Sequence, residues 1–228
     1  MTIERTGALK VPFAGGWQVI AAIALNLIPL IGVAFWGWSA FALIFLYWLE
    51  NVVIGVRTLI SMAISGIGAR EMNPLGVLVI CAFFTVHYGI FCFGHGSFVV
   101  GMFGDHELGG ASLDLVATAR ALFETLPGLR YGLASIVLWQ ILILILAIVR
   151  GDLAKTDPLS LMGAPYPRII ILHITIIFGA FLLLALNEPV AGLVVMALVK
   201  TAFDVAEARG KMPSFSFRRS PADGDPPQ

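Results

Sequence analysis

Apolar segments about 20 residues long recur along this chain, and most of its charged residues lie between them. A helix rises about 1.5 Å per residue, so about 20 apolar residues cross a hydrocarbon core roughly 30 Å thick. Of the 228 residues, 59% are hydrophobic and 12% are charged, whereas about a quarter of the residues in soluble domains are charged. The pattern predicts an all-α, polytopic membrane protein whose main partner is the lipid bilayer.

Six segments are long and apolar enough to span a membrane. They are residues 17–35, 38–64, 74–103, 130–149, 168–186 and 189–206. Only a few residues around WGWSA separate the first two, so we expect a tight glycine-containing turn there, with Trp36 and Trp38 at a membrane interface. Residues 1–211 are thus predicted to form a six-helix transmembrane domain. The Pro-, Asp- and Ser-rich residues 212–228 are predicted to be a disordered cytoplasmic tail.

Lysine and arginine collect on one side of this arrangement. If the N-terminus is cytoplasmic, Arg120 and Arg130 lie in the outer segments, and Arg57 and Lys200 lie within spans. The cytoplasmic segments hold Arg5, Lys10, Arg70, Arg150, Lys155, Arg168, Arg209, Lys211, Arg218 and Arg219. The positive-inside rule therefore predicts that both termini are cytoplasmic. The formal net charge of +0 gives no reason to expect nucleic acid as a partner.

The segment SLDLVATARALFETL, residues 112–126, lies between the third and fourth spans and has helical amphipathic spacing. Its apolar positions are Leu115, Val116, Ala119, Leu122, Phe123 and Leu126. We expect an amphipathic helix on the outer membrane surface. A helical loop packed on the bundle fits the pattern equally well. This helix and the GGASLDL stretch before it also offer a contact face for a homo-oligomer.

Several ionisable side chains fall inside the predicted spans. They are Glu50, Arg57, His87, His95, His173, Lys200 and Asp204. Each costs at least ~2.5 kcal/mol at mid-membrane, so such residues are expected to face the bundle interior and to find partners. Helix rise places Glu50, His173, Lys200 and Asp204 at one depth within the error of the span boundaries. The eight-residue step from His87 to His95 leaves the two side chains about 80° apart around a straight helix, so a straight helix does not let both bind one ion.

Histidine nitrogens and carboxylate oxygens at one level suit zinc or iron. We therefore predict a divalent metal site. Its ligands are Glu50, His87, His173 and Asp204, with His95 as a fifth or second-site ligand. Lys200, Asn51 and Arg57 are predicted to support it, Lys200 by balancing charge or donating a proton and Asn51 by orienting a ligand. Haem held by two of the histidines is an alternative.

These residues leave several functions open. Membrane-embedded hydrolysis by a metal-activated water is the enzymatic hypothesis, although the sequence names neither a substrate nor another nucleophile. A proton-coupled transporter would exchange protons at Glu50, Lys200 and Asp204. A structural or assembly subunit would use Glu50 with Arg57, and Lys200 with Asp204, to fix helix register. Lys200 also has the placement of a retinal Schiff-base lysine, but six spans instead of seven argue against that function.

Four stretches of this sequence resemble a bacterial and archaeal family of integral membrane proteins of unknown function. They are YWLENVVIGV (47–56), FFTVHYGIFCFGHGSFV (83–99), PRIIILHITIIFGAF (167–181) and LVKTAFDVAE (198–207). The resemblance implies a bacterial inner-membrane location and matches the family pattern at Glu50, Asn51, His87, His95, His173, Lys200 and Asp204. In the family a histidine often follows the final aspartate, whereas this chain continues VAEARG. The resemblance names no substrate.

Overall fold

A computed structural model of the protein is all-helical in the part of the chain that it describes. The described residues are 31–32, 35–68, 73–104, 114–167, 169–170, 173–174, 198 and 201–202. The helices are α1 (Ala40–Gly68), α2 (Pro74–Phe103), α3 (Leu115–Thr125), α4 (Leu129–Val149) and α5 (Pro158–Gly163). A 3₁₀ turn, Leu153–Lys155, precedes α5. The predicted all-α class is confirmed for these residues.

Three of these helices, α1, α2 and α4, are long and apolar enough to cross a membrane. They contain 29, 30 and 21 residues. Helix α2 has the limits of the predicted span 74–103, whereas α1 and α4 overlap the predicted spans 38–64 and 130–149 with ends that differ by at most four residues. At about 1.5 Å per residue, α4 matches a ~30 Å core, while α1 and α2 are long enough to tilt or to project beyond it. The prediction is therefore confirmed for these three spans.

The other three predicted spans lie mostly outside the described residues. Those of their residues that are described are all helical: Ile31, Gly32, Phe35, Ile169, Ile170, His173, Ile174, Leu198, Thr201 and Ala202. The count of six spans and the cytoplasmic placement of both termini stay predictions. The predicted tail, 212–228, also lies outside the described residues.

A tight turn precedes α1, as the WGWSA sequence predicts. Gly37 adopts a φ of 65°, which glycine tolerates without a steric penalty, and the Ser39 hydroxyl then caps α1 by accepting from Ala42 N at 3.0 Å. Trp36 is half exposed, but Trp38 is buried. Close-lying glycines, Gly128 and Gly132, leave room for its indole ring. Trp38 is therefore held by packing inside the bundle, and its place at a membrane interface stays a prediction.

Helix α1 is the central element, packed against α2, α4 and α5. Residues 41–48 of α1 are all buried. We call its two ends the Trp38 end and the Gly68 end. Helix α2 runs antiparallel to α1. Helix α4 runs parallel to α1, since Gly132 contacts Leu46 toward the Trp38 end and Ala147 joins the cluster of Met62 toward the Gly68 end. The side chains of α1 therefore form a large part of the interior of the described bundle.

The outer surfaces of α2 and α4 are apolar and exposed. On α2 the exposed side chains include Leu75, Leu78, Val79, Phe83, Val86, Ile90, Phe93 and Met102. On α4 they include Leu138, Ile141, Leu142, Ile145, Ile148 and Val149. Contiguous apolar surfaces of this size are unfavourable in water and suit contact with lipid chains. This surface supports the assignment of a membrane protein.

Helix α3 has the predicted amphipathic character. Asp114 Oδ1 accepts from Val116 N and Ala117 N at 2.9 and 3.0 Å, which caps its N-terminus. Thr118 and Leu122 are buried, and Leu122 belongs to the apolar cluster around Trp38. These contacts are those of a helix packed on the bundle, which is one of the two arrangements compatible with the sequence.

The segment after α4 contains an interrupted helix that the sequence analysis does not predict. Helix α5 ends where Ala164 N donates to Leu161 O at 3.1 Å, and helical bonding resumes where Ile169 N donates to Pro165 O at 3.2 Å. Pro165 has no N–H to continue the first piece, and proline suits the first turn of the second. A helix break therefore precedes the predicted fifth span.

Candidate functional site

Two aromatic side chains fix α1 against α2. Trp48 Nε1 donates to Cys92 O at 2.8 Å, and Tyr88 Oη donates to Asn51 O at 2.9 Å. Both rings are buried over glycines of the facing helix, Gly96 and Gly55 respectively, which leave space for them. Tyr88 and Cys92 are one helical turn apart, so these bonds set the register of the two helices.

Glu50 and Asn51 lie at this junction. Glu50 is 9% exposed and Asn51 is 5% exposed. Glu50 lies on α1 between Trp48, which donates to Cys92, and Asn51, whose carbonyl accepts from Tyr88. Glu50 is therefore level with the stretch of α2 between Tyr88 and Cys92. Asn51 Nδ2 donates to Tyr47 O at 2.9 Å. The sequence prediction that Glu50 and Asn51 face the interior is consistent with this burial.

Asn51 has an unused hydrogen-bonding atom. Its Oδ1 is buried and has no hydrogen-bond partner within the part of the chain that the structure describes. A buried acceptor without a partner costs about 1 to 3 kcal/mol, and such groups are normally satisfied by ordered water or by an ion. Asn51 Oδ1 is therefore an available acceptor next to Glu50 in the chain.

The structure brings His95 and His173 together. His95 Nε2 is in direct contact with His173 Nδ1, and the two ring centroids are 4.4 Å apart with an angle of 74° between the ring planes. His95 is buried and His173 is exposed. The two residues are 78 positions apart in the chain. The two imidazole nitrogens are within hydrogen-bonding contact, and a small separation of the two rings would let both bind one ion.

The other nitrogen of His95 faces a backbone carbonyl. His95 Nδ1 lies 3.3 Å from Phe91 O, so a proton on Nδ1 can be donated to that oxygen. In this tautomer Nε2 carries a lone pair toward His173. Metal-binding histidines commonly donate their second N–H in this way, which fixes the orientation of the ring. The Phe91 ring also packs against His95, with centroids 4.6 Å apart.

His87 lies apart from this pair. It precedes His95 by eight residues on α2, a distance of about 12 Å along the helix axis. Its exposed ring stacks on Phe83, with centroids 5.4 Å apart, and lies 5.9 Å from the ring of Tyr166. Of the predicted ligands, His173 is therefore paired with His95, and His87 is in a separate aromatic environment.

The remaining predicted residues cannot be placed beside the histidine pair. Asp204 and Lys200 lie outside the described residues, and Arg57 is partly buried on α1, two turns from Glu50 toward the Gly68 end. Among the residues that the structure describes, no group of three His, Cys, Asp or Glu side chains is close enough to hold a metal ion. A complete metal site would therefore need ligands from elsewhere in the chain.

Sequence reasoning paired Glu50 with Arg57 but missed the longer row of polar residues on α1 to which both belong. At about 100° per residue, the polar residues between Tyr47 and Ser65 fall within an arc of about 120°. We call them the α1 polar row: Tyr47, Glu50, Asn51, Arg57, Thr58, Ser61 and Ser65. Ile54 is the one apolar residue of that arc. The helical period of the serines and threonine would have revealed the row.

The long apolar helices, the lipid-suited outer surface and the buried polar junction define a polytopic helical membrane protein. Within that class, the chain belongs to a family of unknown function, DUF6498, whose profile matches residues 9–220. No curated protein and no solved structure matches it. This membership agrees with the resemblance in that the matched family has no known function, and the motifs quoted for the resemblance stay predictions.

Proposed function

We propose that this protein binds a transition metal ion within the membrane through His95 and His173. The observation that carries the proposal is the direct contact between His95 Nε2 and His173 Nδ1. Imidazole nitrogen suits zinc and iron, and the carbonyl of Phe91 favours the tautomer in which His95 Nε2 is free to bind. We place this site in a six-span bundle of a bacterial inner membrane with both termini cytoplasmic.

A carboxylate completes the proposed coordination. Asp204 is the carboxylate that the sequence offers for it. Glu50 is buried about one to two helical turns from His95 and forms no group of three ligands with His95 and His173, so it contributes negative charge near the site rather than a bond to the ion. Negative ligands would neutralise the charge of a divalent ion in a low-dielectric interior, where an unpaired charge is costly. His87 is not included, because it lies too far from His95 along α2.

A metal ion at this depth suggests one class of chemistry. A bound zinc or iron ion that keeps an open position activates water, so hydrolysis of a bond within the membrane is the reaction class we propose. Within this account, Lys200 balances excess negative charge and Asn51 orients a water or a ligand through its available Oδ1.

The proposal is tested by metal analysis of protein purified in detergent. Wild type, His95→Ala and His173→Ala are compared with His87→Ala, which is the matched control because it removes an imidazole from the same helix outside the pair. Each is measured as purified and after incubation with zinc or iron followed by desalting. We expect near-stoichiometric metal in wild type and in His87→Ala, and its loss in the other two variants.

The competing functions predict other outcomes. A wild-type protein that stays metal-free after incubation would refute the proposal and would favour proton-coupled transport or a structural network. Equal metal loss in His87→Ala would contradict the assignment of the pair. An absorption band above ~350 nm would point to haem or retinal instead. Normal folding and phenotype in Glu50→Gln would favour a structural role for that carboxylate.

A further inference from the structure

Exposed apolar side chains border the histidine pair. Phe91 precedes His95 by four residues and Phe98 follows it by three, so the two aromatic rings flank His95 on the surface of α2. Both rings are exposed, and His173 is exposed beside them. Two exposed isoleucines lie on the stretch that carries His173, namely Ile170 and Ile174. The pair therefore adjoins a surface that suits contact with lipid chains.

A gap in this surface lies directly before His95. Gly94 follows Phe91 by three residues and precedes Phe98 by four, so it occupies the helix surface between the two rings. The position is exposed, and a Cβ added there would meet nothing within 4 Å. We call Phe91, Gly94 and Phe98 the Gly94 notch. A hydrocarbon chain in this notch would contact an aromatic ring on either side.

The histidine pair lies near one boundary of the hydrocarbon core. Helix α4 has about the length of the core, so its start marks that boundary. Gly132, three residues after the start of α4, contacts Leu46, and Trp48 donates to Cys92 on the antiparallel α2. Counted along the three helices, these contacts place the boundary within about one helical turn of His95. The ester groups of membrane lipids and interfacial water are found at this depth.

We propose that the substrate is a diacyl glycerophospholipid that reaches the histidine pair laterally from the bilayer, with one acyl chain in the Gly94 notch. This inference rests on the metal site proposed above, whose ligands are His95 and His173. From His95 the notch continues through Gly94 and Phe91 toward the middle of the membrane, which is the direction that an acyl chain takes from its ester.

The reaction is the hydrolysis of a carboxylic ester. The oxygen of water bonds to the acyl carbon, and the bond between that carbon and the glycerol oxygen breaks. The glycerol oxygen takes up one proton of the water. The products are a free fatty acid and a lysophospholipid.

The test uses the full chain in vesicles of phosphatidylethanolamine and phosphatidylglycerol, loaded with zinc or, in a parallel sample, with iron. Gly94→Leu fills the notch. Gly89→Leu is the matched control, because Gly89 is also exposed on α2 and a Cβ added there would meet nothing within 4 Å. His95→Ala gives the background. Released fatty acid and lysophospholipid are quantified by mass spectrometry, and the metal content is measured on the same samples.

We expect wild type and Gly89→Leu to release both products at similar rates, and Gly94→Leu to release them at least tenfold more slowly with an unchanged metal content. Gly94→Met replaces Gly94→Leu if the latter does not elute as monodisperse protein. Metal-loaded wild type that releases neither product, or equal release by the two leucine variants, would overturn the lipid substrate and leave the metal site standing.

Two other outcomes are distinguishable from these. Wild type that contains no metal after loading would overturn the metal site and the lipid substrate together. A change from dimer to monomer in Gly94→Leu alone, on size-exclusion chromatography, would show that a second copy of the chain covers the notch. That result would also overturn the lipid substrate.

Discussion

The close approach of Tyr88 to Gly55 gives a sharp prediction about how α1 and α2 pack. A methyl group added at Gly55 would overlap the Tyr88 ring, with Cδ1 only 2.8 Å from the new carbon. The ring has little freedom to move, because it is 4% exposed, stacks on Phe84 at 4.9 Å and donates to Asn51 O. Gly55→Ala should therefore destabilise the protein.

The size of the effect follows from a comparison with Gly89→Ala. A methyl group at Gly89 meets nothing within 4 Å, and both glycines lie in helix interiors. Both variants gain the same helix propensity, about 0.8 to 1 kcal/mol, so their difference isolates the steric overlap. Overpacking of a close-packed interior costs about 1 to 3 kcal/mol. At roughly 2 to 4 °C per kcal/mol, Gly55→Ala should melt about 2 to 12 °C below Gly89→Ala.

The assay is loss of monodisperse protein on size-exclusion chromatography after heating in detergent. Gly89→Ala should match wild type or exceed it. Gly55→Ala should melt below both. If the two alanine variants have the same midpoint, Tyr88 does not lie over Gly55, and the register inferred for α1 and α2 fails with it.

Two further predictions concern single hydrogen bonds. Trp48→Phe removes the indole donor to Cys92 O and should lower stability by about 0.5 to 1.5 kcal/mol, measured by the same heating assay. An unchanged midpoint would show that this hydrogen bond does not hold α1 to α2. Asp114→Ala removes the cap of α3 at a cost of about 0.5 to 2 kcal/mol, so amide exchange in Leu115–Thr125 should accelerate. Exchange as slow as in wild type would mean that packing, not the cap, sets the stability of α3.

The sequence predicts the spans that follow directly from length and hydrophobicity. Residues 74–103 form a helix with the predicted limits because Asn73 and Pro74 give an unambiguous start. The amphipathic pattern likewise locates α3, although it does not decide between packing on lipid and packing on the bundle. Burial of Leu122 against the cluster of Trp38 depends on contacts between distant segments, which periodicity does not report.

The candidate site is less predictable for the same reason. Estimates of depth along each helix grouped His173 with Glu50, Lys200 and Asp204 and did not include His95 in that group. The contact of His95 with His173 depends on where the helical stretch that carries His173 begins. The helix break around Ala164 and Pro165 sets that starting point, and the sequence analysis does not predict the break. The α1 polar row was within reach of sequence reasoning, because serine and threonine at helical spacing carry the same signal as the charged residues.

The central claim is that His95 and His173 bind one metal ion together. X-ray absorption at the metal edge tests it most directly, on detergent-purified protein loaded with zinc. The account predicts two imidazole ligands at about 2.0 to 2.1 Å in wild type and in His87→Ala. It also predicts that His95→Ala, if it retains any zinc, shows fewer than two. A zinc environment without imidazole, or one unchanged by His95→Ala, would contradict the account.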